Sequence, residues 1–132
     1  MTDSAVRLNI PASSGYLVLA RTAVAAVCAR QDFPIDRLED VKLAIDEACS
    51  LVLSDSIPGE GINIDLSTQD DGDVVIVVSG RTNHGRPPKR TSFSWTVLTA
   101  LVDDVEAAAE PDGLIVIRLR AGRGADSPSV AK

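Results

Sequence analysis

Aromatic side chains are nearly missing: the 132 residues hold one Trp, one Tyr and two Phe. A surface on which nucleic-acid bases stack needs several such rings, and a core here must instead be built from Val, Leu, Ile and Ala. Positive charge is short as well, with 13 Lys and Arg against 19 Asp and Glu and a formal net charge of −6. A protein that neutralises nucleic-acid phosphates carries the opposite balance, so no direct nucleic-acid partner is expected. Two cysteines, Cys28 and Cys49, and one histidine, His84, are the only thiol or imidazole ligands. No CxxC or Cys/His spacing surrounds them, so the expectation is no metal site, no disulfide framework and no catalytic triad. Each cysteine falls within an apolar helical pattern and is expected to be a buried, inert thiol. No apolar run approaches the roughly 18 residues of a membrane span, and residues 1–5 lack the basic and apolar regions of a secretory leader. A soluble, cytoplasmic protein without membrane contact is the corresponding expectation.

What is present is an apolar content of 45%, enough for one globular domain. We place that domain over residues 1–120, and read the small, polar residues 121–132 as a flexible tail. Val6-Arg-Leu-Asn-Ile10 alternates apolar and polar and predicts a half-buried strand that Pro11 ends. Ser13 or Ser14 then caps a helix over about residues 15–31, apolar on most sides, with Arg21 and Arg30 its only charges. A second helix over residues 35–53 carries Ile35, Leu38, Val41, Ile45, Ala48, Cys49 and Val52 on one stripe, and its acids Asp36, Glu39 and Asp40 complement the helix dipole. Strands over 62–66 and 74–78 are joined by the hairpin signal Asp70-Asp-Gly-Asp73. The second of them is apolar on both faces and is expected at the centre of its sheet. Residues 80–91 form a loop with Arg81, Arg86, Lys89 and Arg90 and no acid. A third helix over about 92–109 shows Trp95, Leu98, Val102 and Val105 on one face, and residues 113–119 close as the last strand. The order β-α-α-β-β-loop-α-β, without repeats, predicts a two-layer α/β sandwich: a mixed sheet with three helices on one face.

Two features could carry chemistry. Glu47 has Leu43 and Leu51 four residues away and Ala44 and Ser50 three away. An apolar setting of that kind raises a carboxylate pKa toward the range of a general base, whereas a helix-shoulder carboxylate that reaches water does no such work. The basic loop is an island of positive charge before a helix N-terminus, where phosphate can bind through free N–H groups. A solvated loop is the alternative.

Those residues also carry a resemblance. Val41-Lys-Leu-Ala-Ile-Asp-Glu-Ala-Cys-Ser50 is similar to the helix of the anti-sigma-factor serine kinases, the RsbW and SpoIIAB group of GHKL ATPases, in which a Glu is followed four residues later by Asn. The segment from Ser92-Phe-Ser-Trp95 to Asp103-Asp-Val105 resembles the part after that family's ATP lid, most of all in its divergent actinobacterial members. The resemblance spans about residues 5–120. It implies the GHKL fold, ATP and Mg²⁺ as cofactors where a kinase is active, a sigma factor and an anti-anti-sigma factor as partners, and a homodimer.

Carried over residue by residue, the resemblance implies that Glu47 is the base that takes a proton from a substrate serine. It puts Leu51 at the position of the Mg²⁺-binding Asn and Arg81 at that of the adenine-binding Asp. Asn83 and Gly85 fall on two family glycines, Ser92 and Ser94 on a Gly-x-Gly phosphate loop, and Arg90 on a basic residue near the nucleotide. Arg21, within Leu19-Ala-Arg-Thr-Ala-Val24, matches an Arg that contacts both the sigma factor and the competing anti-anti-sigma protein. A planar guanidinium suits carboxylates on alternating partners, while a lone solubilising Arg is the plainer reading. The expectation is therefore an anti-sigma factor with a degenerate ATP site and no resident cofactor or metal. An active ATP-dependent serine kinase and a structural module without a sigma target are its alternatives.

Overall fold

The computed structural model describes residues 5–54 and 56–124. Chain order is β1 (Ala5–Pro11), a single 3-10 turn (Ser14–Tyr16), α1 (Leu17–Arg30), α2 (Ile35–Leu53), β2 (Gly61–Thr68), β3 (Val74–Arg81), α3 (Phe93–Leu101), β4 (Asp104–Ala109) and β5 (Leu114–Ala121). The five strands form one sheet in the order β1-β2-β3-β5-β4, and each neighbouring pair is antiparallel. The expected mixed sheet is thus corrected to a fully antiparallel one: two helices, α1 and α2, join the neighbours β1 and β2 and return the chain antiparallel, and the helix-containing connection from β3 leads to the edge strand β4, not to a parallel neighbour.

Register puts Ile64, Val78 and Ile117 in one row across the sheet and Leu66, Ile76 and Leu119 in the next. These side chains share a core with Val24, Cys28, Val41, Ile45, Cys49, Val52 and Leu98 of the three helices. The helices therefore cover one face, and α2 lies between α1 and α3, packing on both and on β3. The other face presents the row Arg7, Asp65, Val77, Arg118 and Glu106 to solvent. β3 is central, as its two-sided apolar pattern requires. The β2–β3 hairpin turns at Gly72, φ +92, and the Asp73 amide donates to Asp71 Oδ1 at 2.9 Å. Both carboxylates are then gripped by Arg120 from β5, at 2.8 and 2.7 Å.

The third helix is shorter than its sequence pattern. Ser92 caps it, its Oγ accepting from the Trp95 amide at 3.1 Å, and it ends at Leu101. Val102 is already extended, with φ −130 and ψ 170, and β4 follows as a fifth strand. Asp103 fixes this break: one carboxylate oxygen accepts from the Gly122 amide at 2.6 Å and from Arg37 at 3.0 Å. Arg37 Nε also donates to the Gly122 carbonyl and Nη1 to the Leu101 carbonyl. Just past residue 120, Ala121 is the buried end of β5 and Arg123 donates to the Gln31 carbonyl at 3.0 Å. The rest of the expected tail, 125–132, lies outside the described residues.

Candidate partner and nucleotide surfaces

α1 buries Leu17, Ala20, Val24 and Cys28, one side chain per turn, against α2 and the sheet. An Ala-rich helix with so few charges leaves apolar groups on its other side, where Tyr16, Val18 and Leu19 are about half exposed. Arg21 stands beside them. Its Nε lies 2.8 Å from Asp46 Oδ1 on α2, close enough for an ion pair although the alignment is not that of a linear hydrogen bond. The two contacting atoms are buried while both side chains stay partly exposed, so the guanidinium is anchored at one end and open at the other.

Glu47 follows Asp46 directly. It is half-buried, and no hydrogen bond or ion pair reaches it from the described residues. Leu43, one turn before it, is 56% exposed. The enclosed apolar setting expected around this carboxylate is therefore not formed: Glu47 occupies the helix shoulder and reaches water.

One turn further, Leu51 borders a small hollow under the basic loop, closed by Thr82, Ile115, Arg86, Pro87 and Pro88. Its volume is about 170 Å³. Small-molecule sites run from roughly 300 to 1,000 Å³, so a nucleoside triphosphate exceeds this space. The chemistry of the lining agrees with the volume. Leu51 offers no oxygen to a metal, and two consecutive prolines remove two N–H donors from the loop. Arg81, at the position the resemblance gives to an adenine-binding Asp, is held by Glu60 at 3.3 Å and Asp112 at 2.6 Å. Its hydrogen bond holds the Asp112 carboxyl below the usual carboxylate range. Ser92 Oγ is taken by its own helix cap. Leu51, Arg81 and Ser92 thus depart from the residues that the resemblance implies for a magnesium-bound nucleotide, and among the described residues no group of His, Cys, Asp and Glu is arranged to hold a metal.

Gly85 and Arg90 have local tasks in the same loop. Gly85 sits at φ +62, its amide donates to Thr82 Oγ1 at 3.0 Å, and a Cβ there would lie 3.2 Å from Gly113 Cα. It is a turn glycine that must also be small. Arg90 places its guanidinium 5.0 Å from the centroid of the Trp95 ring. Sequence reading missed Asp46 as the partner of Arg21, since residues 25 apart on two helices share no local signal. It also missed Arg37, whose position among the acids of α2 looks like an ordinary surface pair.

No family model matches the chain. Across 129 residues it is 34% identical to the anti-sigma-F factor RsbW of Mycobacterium tuberculosis, a match covering 93% of this chain and 76% of that protein. Across 48 residues it is 38% identical to the serine-protein kinase RsbW of Bacillus thuringiensis, which is 36% of this chain and 30% of the kinase. Among solved structures, a crystal structure of RsbU and RsbW domains from Mycobacterium tuberculosis superposes with a TM-score of 0.72 at 16% identity. That superposition covers 90% of this chain and 32% of the other, and at such identity it speaks for the fold alone. No helix among the described residues is long and apolar enough to cross a membrane.

Proposed function

This chain belongs to the RsbW family of anti-sigma factors, and we propose that it sequesters a sigma factor, is released by an anti-anti-sigma protein, and does so without binding nucleotide. The observation that carries this reading is the contrast between its two surfaces. Arg21 stands partly open among the exposed Tyr16, Val18 and Leu19. The hollow beside Leu51 is small, and Leu51, Ile115, Pro87 and Pro88 form half of its lining. A surface with an anchored arginine and apolar neighbours is equipped to hold a protein, because buried arginine contacts dominate many interfaces. Two partners that each present a carboxylate to the same guanidinium exclude each other, which is the requirement of partner switching.

A kinase reading has one observation in its favour: the 48-residue match to a serine-protein kinase, with Glu47 in place for a general base. It lacks a metal ligand at Leu51. The two readings separate in one set of titrations with purified alternative sigma factors of the source organism. We expect one of them to bind without nucleotide, and Arg21→Ala to weaken that complex by more than about 1 kcal/mol while the melting temperature stays within a few degrees. Absence of binding to any sigma factor overturns the anti-sigma reading. Binding that requires MgATP transfers support to the kinase.

A further inference from the structure

The lid-like loop poses a physical question once its hollow is too small for a nucleotide. Arg86, Lys89 and Arg90 are exposed and form no ion pair among the described residues, whereas seven other cations of the chain sit at ion-pair distance from a carboxylate. In a protein of net charge −6, three unneutralised cations within five residues are a local reversal of sign. Phe93 follows them and is 81% exposed, the most exposed large apolar side chain described. Arg90 is not a loose charge, since its guanidinium rests over Trp95.

A second opening adjoins this loop. Arg90, Glu106, Ala107, Ala108, Val116 and Arg118 line a hollow of about 400 Å³, distinct from that beside Leu51. Its floor is small and apolar. Arginines stand on its rim, Arg90 from the loop and Arg118 from β5, and Arg118 is only loosely met by Glu106 at 3.8 Å. β4 is the last strand of the sheet, so among the described residues no further strand pairs on this side.

We propose that the basic loop, Phe93 and this hollow form a docking surface for a protein segment that carries several carboxylates around an apolar side chain. The apolar group would fill the Ala107–Ala108–Val116 floor while carboxylates meet Arg90, Lys89 and Arg86. Charge selects the partner: a segment of opposite sign is drawn to this cationic loop of an acidic molecule, and other acidic surfaces are kept off the remainder. Phosphate is a poorer match, because Pro87 and Pro88 take away amide donors of the kind that enclose a phosphate. The surface lies beyond α2 from Arg21, so it stands or falls apart from sigma-factor binding there.

The test uses the full chain and a fluorescein-labelled synthetic peptide of Asp and Glu with a central Leu, read by anisotropy at low salt and at about 0.15 M. We expect saturable binding that weakens with salt, about a tenfold loss in the triple variant Arg86→Glu, Lys89→Glu, Arg90→Glu, and a similar loss in Ala108→Trp, which fills the hollow without changing charge. Arg21→Ala is expected to bind the peptide as the parent does, and circular dichroism confirms that each variant is folded. No binding by the parent protein overturns the proposal, as does equal binding by the triple variant. Competition by pyrophosphate or duplex DNA at the peptide's own concentration would reduce the surface to a general polyanion patch and overturn it equally. If the triple variant fails to fold, Ala108→Trp and Phe93→Ser decide the matter alone.

Discussion

Leu51 shows how much one side chain settles. It is half-buried in the wall of the 170 Å³ hollow rather than fully inside the core. Replacing it by Asn partly desolvates an amide beside Ile115 and two prolines, at a cost of about 1–3 kcal/mol. We expect Leu51→Asn to melt several degrees below the parent and to transfer no phosphate to an anti-anti-sigma protein, because Arg81 and the prolines are unchanged. Thermal melts and a radiolabelled-ATP assay check both halves, and robust phosphorylation would show that the other departures are harmless. Cys28 and Cys49 are buried completely, and burial pushes each thiol up to about 12, with Asp46 adding to the rise at Cys49 and Arg37 opposing it at Cys28. A thiol raised in the folded state favours folding below its ordinary value near 9, and this contribution is lost as pH climbs from about 9 to about 12. Denaturant midpoints should therefore fall across that alkaline window, and Cys28→Ala with Cys49→Ala should flatten the fall. Native thiols should also resist labelling at neutral pH.

At the scale of elements, Arg37 joins three of them: the start of α2, the end of α3 and the end of β5. Truncating it leaves two carbonyls and the Asp103 carboxylate short of a charged donor, each such bond being worth roughly 1.5–3 kcal/mol. Arg37→Ala is expected to cost about 2–4 kcal/mol, and urea unfolding measures it; a loss below about 0.5 kcal/mol would mean that the Gly122 amide and water hold Asp103 in place unaided. The same elements show what was readable in advance. The stripe of α2 from Val41 to Val52, the hairpin acids around Gly72 and the two-sided apolar run of β3 each followed from a local period or turn residue and lie where that rule puts them, whereas Ile35, expected on the same stripe, is 79% exposed in the first turn of α2. α3 and β4 did not separate, because Trp95, Leu98, Val102 and Val105 fit a helical face while Val105 and Ala107 also alternate as a strand does. The deciding force is tertiary: β5 offers a free edge for pairing, and Asp103 is pulled toward Arg37 and the Gly122 amide. The site divided in the same way. Departures at Leu51 and Arg81 were visible as residue types, whereas the volume of the hollow depends on how the basic loop folds over α2 and β5, and the Arg21–Asp46 contact on how α1 meets α2.

For the whole molecule the question is where an acidic protein keeps its positive charge, and what that charge can hold. Arg120, Arg37 and Arg81 are each committed to two carboxylates, so they brace the structure and are closed to ligands. The cations of the basic loop stay open, exposed and screened by salt, where each contact is worth little. A nucleotide approaching them meets no metal ligand at Leu51, no acidic partner for adenine at Arg81, and a hollow about half the size of a small ligand site. Loss of the charged adenine hydrogen bond alone removes about 1.5–3 kcal/mol, and the metal bridge that joins protein to phosphates is lost with it. We therefore predict that MgATP binds in the millimolar range or more weakly, equivalent to about −4 kcal/mol, and no better than pyrophosphate. Calorimetry at about 0.15 M salt is the measurement, with magnesium present and absent. Weak heats that are the same for ATP, GTP and pyrophosphate would fit charge without a site. Micromolar binding that needs both adenine and magnesium would instead require Leu51, Pro87 and Pro88 to move aside, and would turn the balance toward an active kinase.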